Sequence, residues 1–242
     1  MFIYDIGLFL VALLAGGIAS ICGFGIGSFL TPFLSFKMGT GIAIAGVSII
    51  HFLGTAFRFW KWKAFINKKV LLSFGITSAL GGLAGALFHN VSENIILTII
   101  FGALLIFAGF SGLSGISEKW RLNGPIAWIA GALSGIFGGL VGNQGGIRSA
   151  AMFGFELQGK EFVATATGIA LAVDCARMPV YCITQWSNIL KIWPWILLGS
   201  IGVLIGTEIG ILLIGKIPER VFKKIVSGMI LIIGVFVLLN LK

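Results

Sequence analysis

The sequence predicts an all-α integral membrane protein of two repeats of about 120 residues, each a glycine-broken segment followed by three spans. Three observations carry that expectation. Of 242 residues 58% are hydrophobic and only 10% charged, against roughly 25% charged in a soluble domain. The charges are clustered, so that Ile6 to Phe36, Met38 to Phe57, Val70 to Ser92, Asn94 to Ser117 and Leu122 to Ile147 carry none. A spanning helix needs about 20 mostly apolar residues, and each of these runs is long enough. Finally, two of the runs hold dense glycine in mid-segment.

In chain order the apolar segments fall at about 6–36, 41–60, 70–88, 94–113, 124–155, 162–184, 192–214 and 222–240. The first and fifth are too long for one straight span. The first reads Gly23-Phe-Gly-Ile-Gly27 followed by Pro32, and the fifth reads Gly138-Gly-Leu-Val-Gly142-Asn-Gln-Gly145-Gly146. Each glycine costs roughly 1 kcal/mol in a helix interior, so such density predicts a helix broken inside the bilayer. No cleavable signal peptide is expected, because a basic n-region is lacking and the first apolar run is too long. Cys22, Cys175 and Cys182 lie in apolar segments at no metal-ligand spacing and read as small packing residues. Trp60, Trp62, Trp120, Trp128, Trp186, Trp193 and Trp195 cluster near span ends, as an aromatic belt does.

The breaks lie 119 residues apart, and that shift also superimposes Gly27 on Gly146, Gly16 on Gly135, Ile50 on Ile169 and Arg58 on Arg177. Two further residues of shift set Gly81 and Gly85 on Gly202 and Gly206. The expected division is therefore 1–121 for the first membrane repeat and 122–242 for the second. Orientation follows from the basic loops at 58–69 and 216–224, both of which should be cytoplasmic. If every segment crosses once, these loops fall on opposite faces. If both broken segments are re-entrant hairpins, twelve loop cations lie inside and three outside (Lys37, Lys191, Lys242), with Arg148 and Arg177 intramembrane. Three spans after each hairpin then invert one half relative to the other, an arrangement of many secondary transporters. The alternative is an eight-span bundle with kinked first and fifth helices.

Broken backbone at membrane depth must be buried in protein or line a wet cavity. Each second half-helix is expected to start near Gly27-Ser28 and near Gly146-Ile147. Helix starts present free N–H groups and a positive dipole end, so two meeting at mid-membrane make an anion site; the competing reading is two packing crossings. Arg148 follows the second glycine cluster, where its guanidinium can add fork-like donors for an oxyanion or else neutralise an internal acid, Asp174 or Glu208. Asn143 and Gln144 can add neutral hydrogen bonds. His51 reads as an anion donor, a proton-linked group or a helix-interface residue. Asp174 and Arg177, three apart, share a helix face and can pair. Arg58 and Arg177 would flank the centre as gates, or Arg58 serves as an interfacial anchor. Glu208 would be a coupling proton site or a counter-ion. With two histidines, and without paired carboxylates or nucleophile and phosphate-loop signatures, neither an enzyme, a metal site nor a cofactor is expected. The net charge of +9 is explained by loops beside spans, without nucleic acid.

Gly23-Phe-Gly25-Ile-Gly27 with Pro32, and a diverged copy at Gly142-Asn-Gln-Gly145-Gly146, resemble the sulfite exporter TauE/SafE family over essentially the whole chain. The resemblance implies transport, in either direction, of sulfite, thiosulfate or organosulfonates, with Gly23, Gly25, Gly27, Gly142, Gly145 and Gly146 facing the substrate. The chain departs from the pattern at Ala151, where the position facing Pro32 lacks proline. The expected function is a multi-pass inner-membrane transporter with a small sulfur-containing anion held between two half-helix starts. Its partners are that anion, the lipid bilayer and a coupling proton or ion, with the oligomeric state open. The rival readings are a passive anion channel and, from another class, a membrane-embedded lipid-phosphate enzyme. The latter would need acids clustered beside an arginine, which neither break contains.

Overall fold

The computed structural model describes residues 2–88, 95–115, 124–141, 145–214 and 216–239, and every regular element among them is helical. Six of these helices are long and apolar enough to cross a membrane, so the protein is a multi-pass membrane protein. Helix α1 (Phe2–Cys22) ends where Gly23 and Gly25 adopt φ of 82° and 138°. Those conformations stop a right-handed helix, and side chains rarely adopt them. Helix α2 (Ile26–Met38) follows at once and closes on Gly39, φ 80°. Helix α3 (Thr40–Trp62) leads through a 3₁₀ turn to α4 (Lys68–Val70), a π turn at Leu71–Gly75 and α5 (Ile76–Leu87), one continuous rod. Asn67 caps this rod by accepting from Val70 N at 3.1 Å, and its amide nitrogens reach Glu161 and Thr165, which anchors the basic turn.

Helices α6 (Ile95–Leu113) and α7 (Pro125–Val141) follow, the latter started by a proline that needs no N–H partner there. Helix α8 (Gly145–Met152) is short, and a 3₁₀ turn continues it to Phe155. The expected first residues were one or two positions late, since α2 begins at Ile26 and α8 at Gly145. The 33-residue α9 (Gly159–Lys191) contains Pro179 and bends at Gln185, whose φ and ψ are −122° and 16°. Helices α10 (Trp193–Ile214) and α11 (Glu219–Leu239) complete the chain. Trp62 departs from the expected belt: at 6% exposure it belongs to the core. Gly142, Asn143 and Gln144 lie outside the described residues, as does Trp120.

Glycine contacts fix the helix directions. Gly16 of α1 lies on Val203 and Thr207 of α10, and Gly17 on Gly206, so the two helices run parallel. The same holds for α5 and α7, where Gly81 meets Ala132 and Gly85 meets Ile136 and Leu140. Helix α3 also runs with α10, since Gly46 meets Ile192 and Ile196 while Gly54 meets Val203. Helix α5 runs with α9, as Gly75 meets Ile169 and Gly82 meets Val173. In contrast α3 and α9 cross antiparallel, with His51 on Asp174 and Arg58 on Thr167. Helices α6 and α11 are antiparallel too, with Gly102 beside Leu238 and Gly112 beside Ser227.

Between α1 and α3 the chain must turn back, and α2 does so. Phe33 of α2 stacks on Tyr4 at 5.1 Å and touches Gly7, whereas Gly25 sits beside Ile18. Lys37 then lies 4.2 Å over the Tyr4 ring and 4.4 Å over Trp195, whose indole donates to Asp5 at 3.0 Å. Helix α8 runs with α6, from Gly146 at Leu105 to Phe153 at Gly112. The starts of α2 and α8 abut, and from there the two helices run toward opposite ends of the molecule.

Candidate functional site

The site is built where the two chain breaks touch. A side chain on Gly145 would collide with Phe24, and one on Gly146 with Leu105. Gly23 is pressed in the same way against Ala166 and Phe162 of α9. These glycines therefore let the two breaks close on one another, so that Phe24 and Leu105 fill the space a side chain would take. Gly25, Gly27 and Ser28 are buried beside them at the start of α2.

Arg148 projects from the first turn of α8 and is fully buried. Its Nη2 donates to the Gly23 carbonyl at 3.1 Å, tying one break to the other. Its Nε and Nη1 have no hydrogen-bond partner among the described residues. Neither acid considered as its counter-ion makes a hydrogen bond or ion pair with it among the described residues, although Asp174 lies within electrostatic reach. Asp174 is engaged elsewhere, and Glu208 pairs with Lys61 at 3.1 Å with 44% of its side chain exposed. Glu208 thus lies apart from the buried centre, on the flank of α10 turned away from the glycines that face α1.

Asp174 organises the centre from mid-α9. Its Oδ2 accepts from His51 Nδ1 at 2.6 Å and from the Thr55 hydroxyl at 3.2 Å. Its Oδ1 accepts from Arg177 Nε at 3.1 Å and lies 2.8 Å from Nη2 in an ion pair, the i, i+3 pair anticipated on one helix face. Arg177 also donates from Nη1 to the Gly138 carbonyl at 3.2 Å, and the Tyr181 hydroxyl donates to Gly139 at 3.0 Å. Both carbonyls belong to the last turn of α7, where helix carbonyls lack intrahelical partners. Arg58, 1% exposed, donates from Nε to Thr167 at 2.7 Å and leaves Nη1 unpartnered among the described residues. Because α3 and α9 are antiparallel, Arg58 and Arg177 stand on opposite sides of the Asp174 contacts. Thr55, Thr167 and Tyr181 were not among the candidate residues; neutral hydroxyls in apolar sequence carry no charge or spacing signal.

The electrostatics are unbalanced. Three buried guanidiniums face one buried carboxylate, and Arg58 lies within electrostatic reach of both Arg148 and Asp174. An uncompensated buried charge costs several kcal/mol even after relaxation. A negative guest beside Arg148 would relieve that cost. By the same reasoning, Asp174→Ala is expected to destabilise the empty protein by about 3–5 kcal/mol, because it strands Arg177 and removes the His51 partner. Asp174→Asn, which keeps a hydrogen-bond acceptor, should lose less. Thermal unfolding in detergent measures both, and an unchanged melting temperature for Asp174→Ala would contradict this account of the pair. Among the described residues no group of three histidines, cysteines or acids is placed to hold a metal ion.

A family model described as Sulfite exporter TauE/SafE matches residues 8–237. Comparison with curated proteins and with solved structures gave no match.

Proposed function

The chain belongs to the sulfite exporter TauE/SafE family, and from that premise we propose that it carries a small sulfur-containing anion, such as sulfite, thiosulfate or an organosulfonate, by alternating access. The anion sits at mid-membrane between the starts of α2 and α8. The observation that carries the reading is Arg148: it is fully buried, joined to the other break, and has two donor nitrogens unspent. A planar guanidinium suits the oxygens of a sulfonate or sulfite, and the first-turn amides of both half-helices add donors at a positive dipole end. The sequence of the same break also carries Asn143 and Gln144, neutral donor types that lie outside the described residues.

The architecture that places the site is an inverted pair of repeats, 1–121 and 122–242, each opening with a re-entrant hairpin. The helix directions support it. Matching α1 with α7, α3 with α9, α5 with α10 and α6 with α11 pairs helices that run oppositely throughout. The contacts are reciprocal as well, since α1 packs on α10 as α7 packs on α5. At the 119-residue shift Thr55 falls on Asp174, and these two touch at 3.2 Å, as residues on a two-fold axis do. Reversal at each hairpin puts the basic turns at 58–69 and 216–224 on one face, the cytoplasmic one in an inner membrane.

Access is gated at both ends. At the cytoplasmic end lies a cavity of about 430 Å³, lined by Gly112, Phe153, Gln158 and Lys223 among others. Phe162 lies between this cavity's Phe153, at a ring distance of 5.5 Å, and Gly23 of the first break, and would be the gate there. At the outer end Lys37 bridges Tyr4 and Trp195. Gates at both ends are what a carrier requires and an open channel lacks. The test is a thermal-shift panel of sulfite, thiosulfate, sulfoacetate, taurine, sulfate and chloride on detergent-purified protein. Sulfur oxyanions or sulfonates should raise the melting temperature by several degrees while chloride does not. A flat response to all six would refute the assignment.

A further inference from the structure

We propose that His51 is a proton-binding site tied to the anion. Its Nε2 takes up one proton as the anion enters and gives it back as the anion leaves, so that the two travel together. This deepens the anion reading and rests on it.

The geometry assigns the tautomer. Asp174 accepts one hydrogen bond from Arg177 Nε, one from Thr55 and one from His51 Nδ1, and Arg177 Nη2 completes the ion pair. A carboxylate so fully supplied with donors is ionised, so Nδ1 carries the hydrogen between the two groups. In the neutral ring, Nε2 is then left as a lone pair. It has no hydrogen-bond partner among the described residues, and the side chain keeps 9% exposure although Asp174 keeps none. A lone pair repels an oxyanion, whereas a protonated Nε2 donates to it.

The surrounding charges link the two events. His51 contacts Asp174 of α9 and lies within electrostatic reach of Arg177 on α9 and Arg148 on α8, with Arg58 further along α3 itself. The other charged residues on packed helices are occupied at the ends. Lys37 of α2 rests on Tyr4 and Trp195, Asp5 of α1 accepts from Trp195, and Glu208 of α10 pairs with Lys61. Helix α5 carries no charged residue, and the remaining ones of α9, Lys160, Glu161 and Lys191, lie in its terminal turns. Among the described residues the protein itself sets three buried guanidiniums against one buried carboxylate there, which opposes a further positive charge on His51. A bound anion removes that opposition. Proton and anion stabilise one another, which is a reciprocal coupling between two sites. The step is a simple transfer: on the side of anion arrival an O–H bond of hydronium breaks as N–H forms at Nε2, leaving water, and on the side of release N–H breaks and the proton passes to water as hydronium, with no redox change.

The sign is definite. Affinity for an anion of fixed charge rises as pH falls, approaching about tenfold per pH unit, the limit for one linked proton. Isethionate and thiosulfate keep a constant charge between about pH 5 and 8, so they separate the protein's titration from the ligand's. Titration calorimetry of the purified full chain, in buffers of different ionisation heat, counts protons taken up per anion bound. The expected result is close to one for the unaltered protein and none for His51→Gln, whose affinity should be flat with pH. Binding without proton uptake in the unaltered protein, or uptake that persists in His51→Gln, overturns the proposal while leaving the anion site standing. Absence of binding by every probe overturns the anion reading and this inference with it.

Discussion

Arg148→Ala loses at least about 100-fold in affinity for the anion and abolishes transport, while the protein still inserts and folds. The magnitude follows from two or three charge-assisted hydrogen bonds at about 1.5–3 kcal/mol each, lost together with the charge. What distinguishes this expectation from general damage is the empty state. Arg148 makes one protein hydrogen bond and leaves Nε and Nη1 unpartnered among the described residues. Its removal deletes a desolvated charge without stranding an acid. The melting temperature without anion should hold or rise, and the shift caused by anion should vanish. Arg148→Lys keeps the charge but not the fork, and should recover only part of the affinity. Loss of stability in the empty Arg148→Ala protein comparable to that of Asp174→Ala would make Arg148 a structural residue instead.

The second large effect concerns the helix pairs that hold the breaks in place. A Cβ on Gly206 would fall 1.9 Å from the Leu13 carbonyl oxygen, and one on Gly135 2.0 Å from that of Ser78. The obstructing atoms are backbone, so they cannot rotate away, and two helices must separate. Close backbone approach is how membrane helices associate when no hydrophobic effect drives them together. Gly206→Ala and Gly135→Ala are each expected to destabilise the fold by about 3 kcal/mol or more, the upper end of overpacking costs. Gly228→Ala is the control, because nothing lies within 4 Å of the added carbon. It should leave the melting temperature unchanged or slightly raised. Equal behaviour of all three variants would contradict the described packing.

The breaks were legible in the sequence because their signal is local: glycines mid-segment cannot sustain a helix, and Gly23 and Gly25 adopt conformations side chains avoid. Arg148 was legible for the same reason, as a charge placed where charge is costly. The partners of these residues were not legible. His51 meets Asp174 across 123 residues, and no local pattern marks a pair formed by two antiparallel helices crossing. Thr55 offered a faint clue, since the repeat shift sets it on Asp174, but hydroxyls are common on small-residue faces. Glu208 shows what hydropathy leaves out. Its position in mid-segment gives depth along α10, whereas its flank of the helix is decided by Gly202, Gly206 and Gly210 turning inward to α1. Lys61, brought alongside by parallel α3, then pairs with it near the surface.

The claim on which everything else depends is that an anion lodges where the α2 and α8 starts meet. Anomalous diffraction from crystals grown with selenosulfate, whose terminal selenium marks the guest, locates it directly. One selenium peak per chain is expected beside the Phe24–Gly145 contact, with the sulfonate oxygens within about 3 Å of Arg148 nitrogens. A peak confined to the cavity near Lys223, or to the Lys37 end, with the centre empty at saturating ligand, would contradict it.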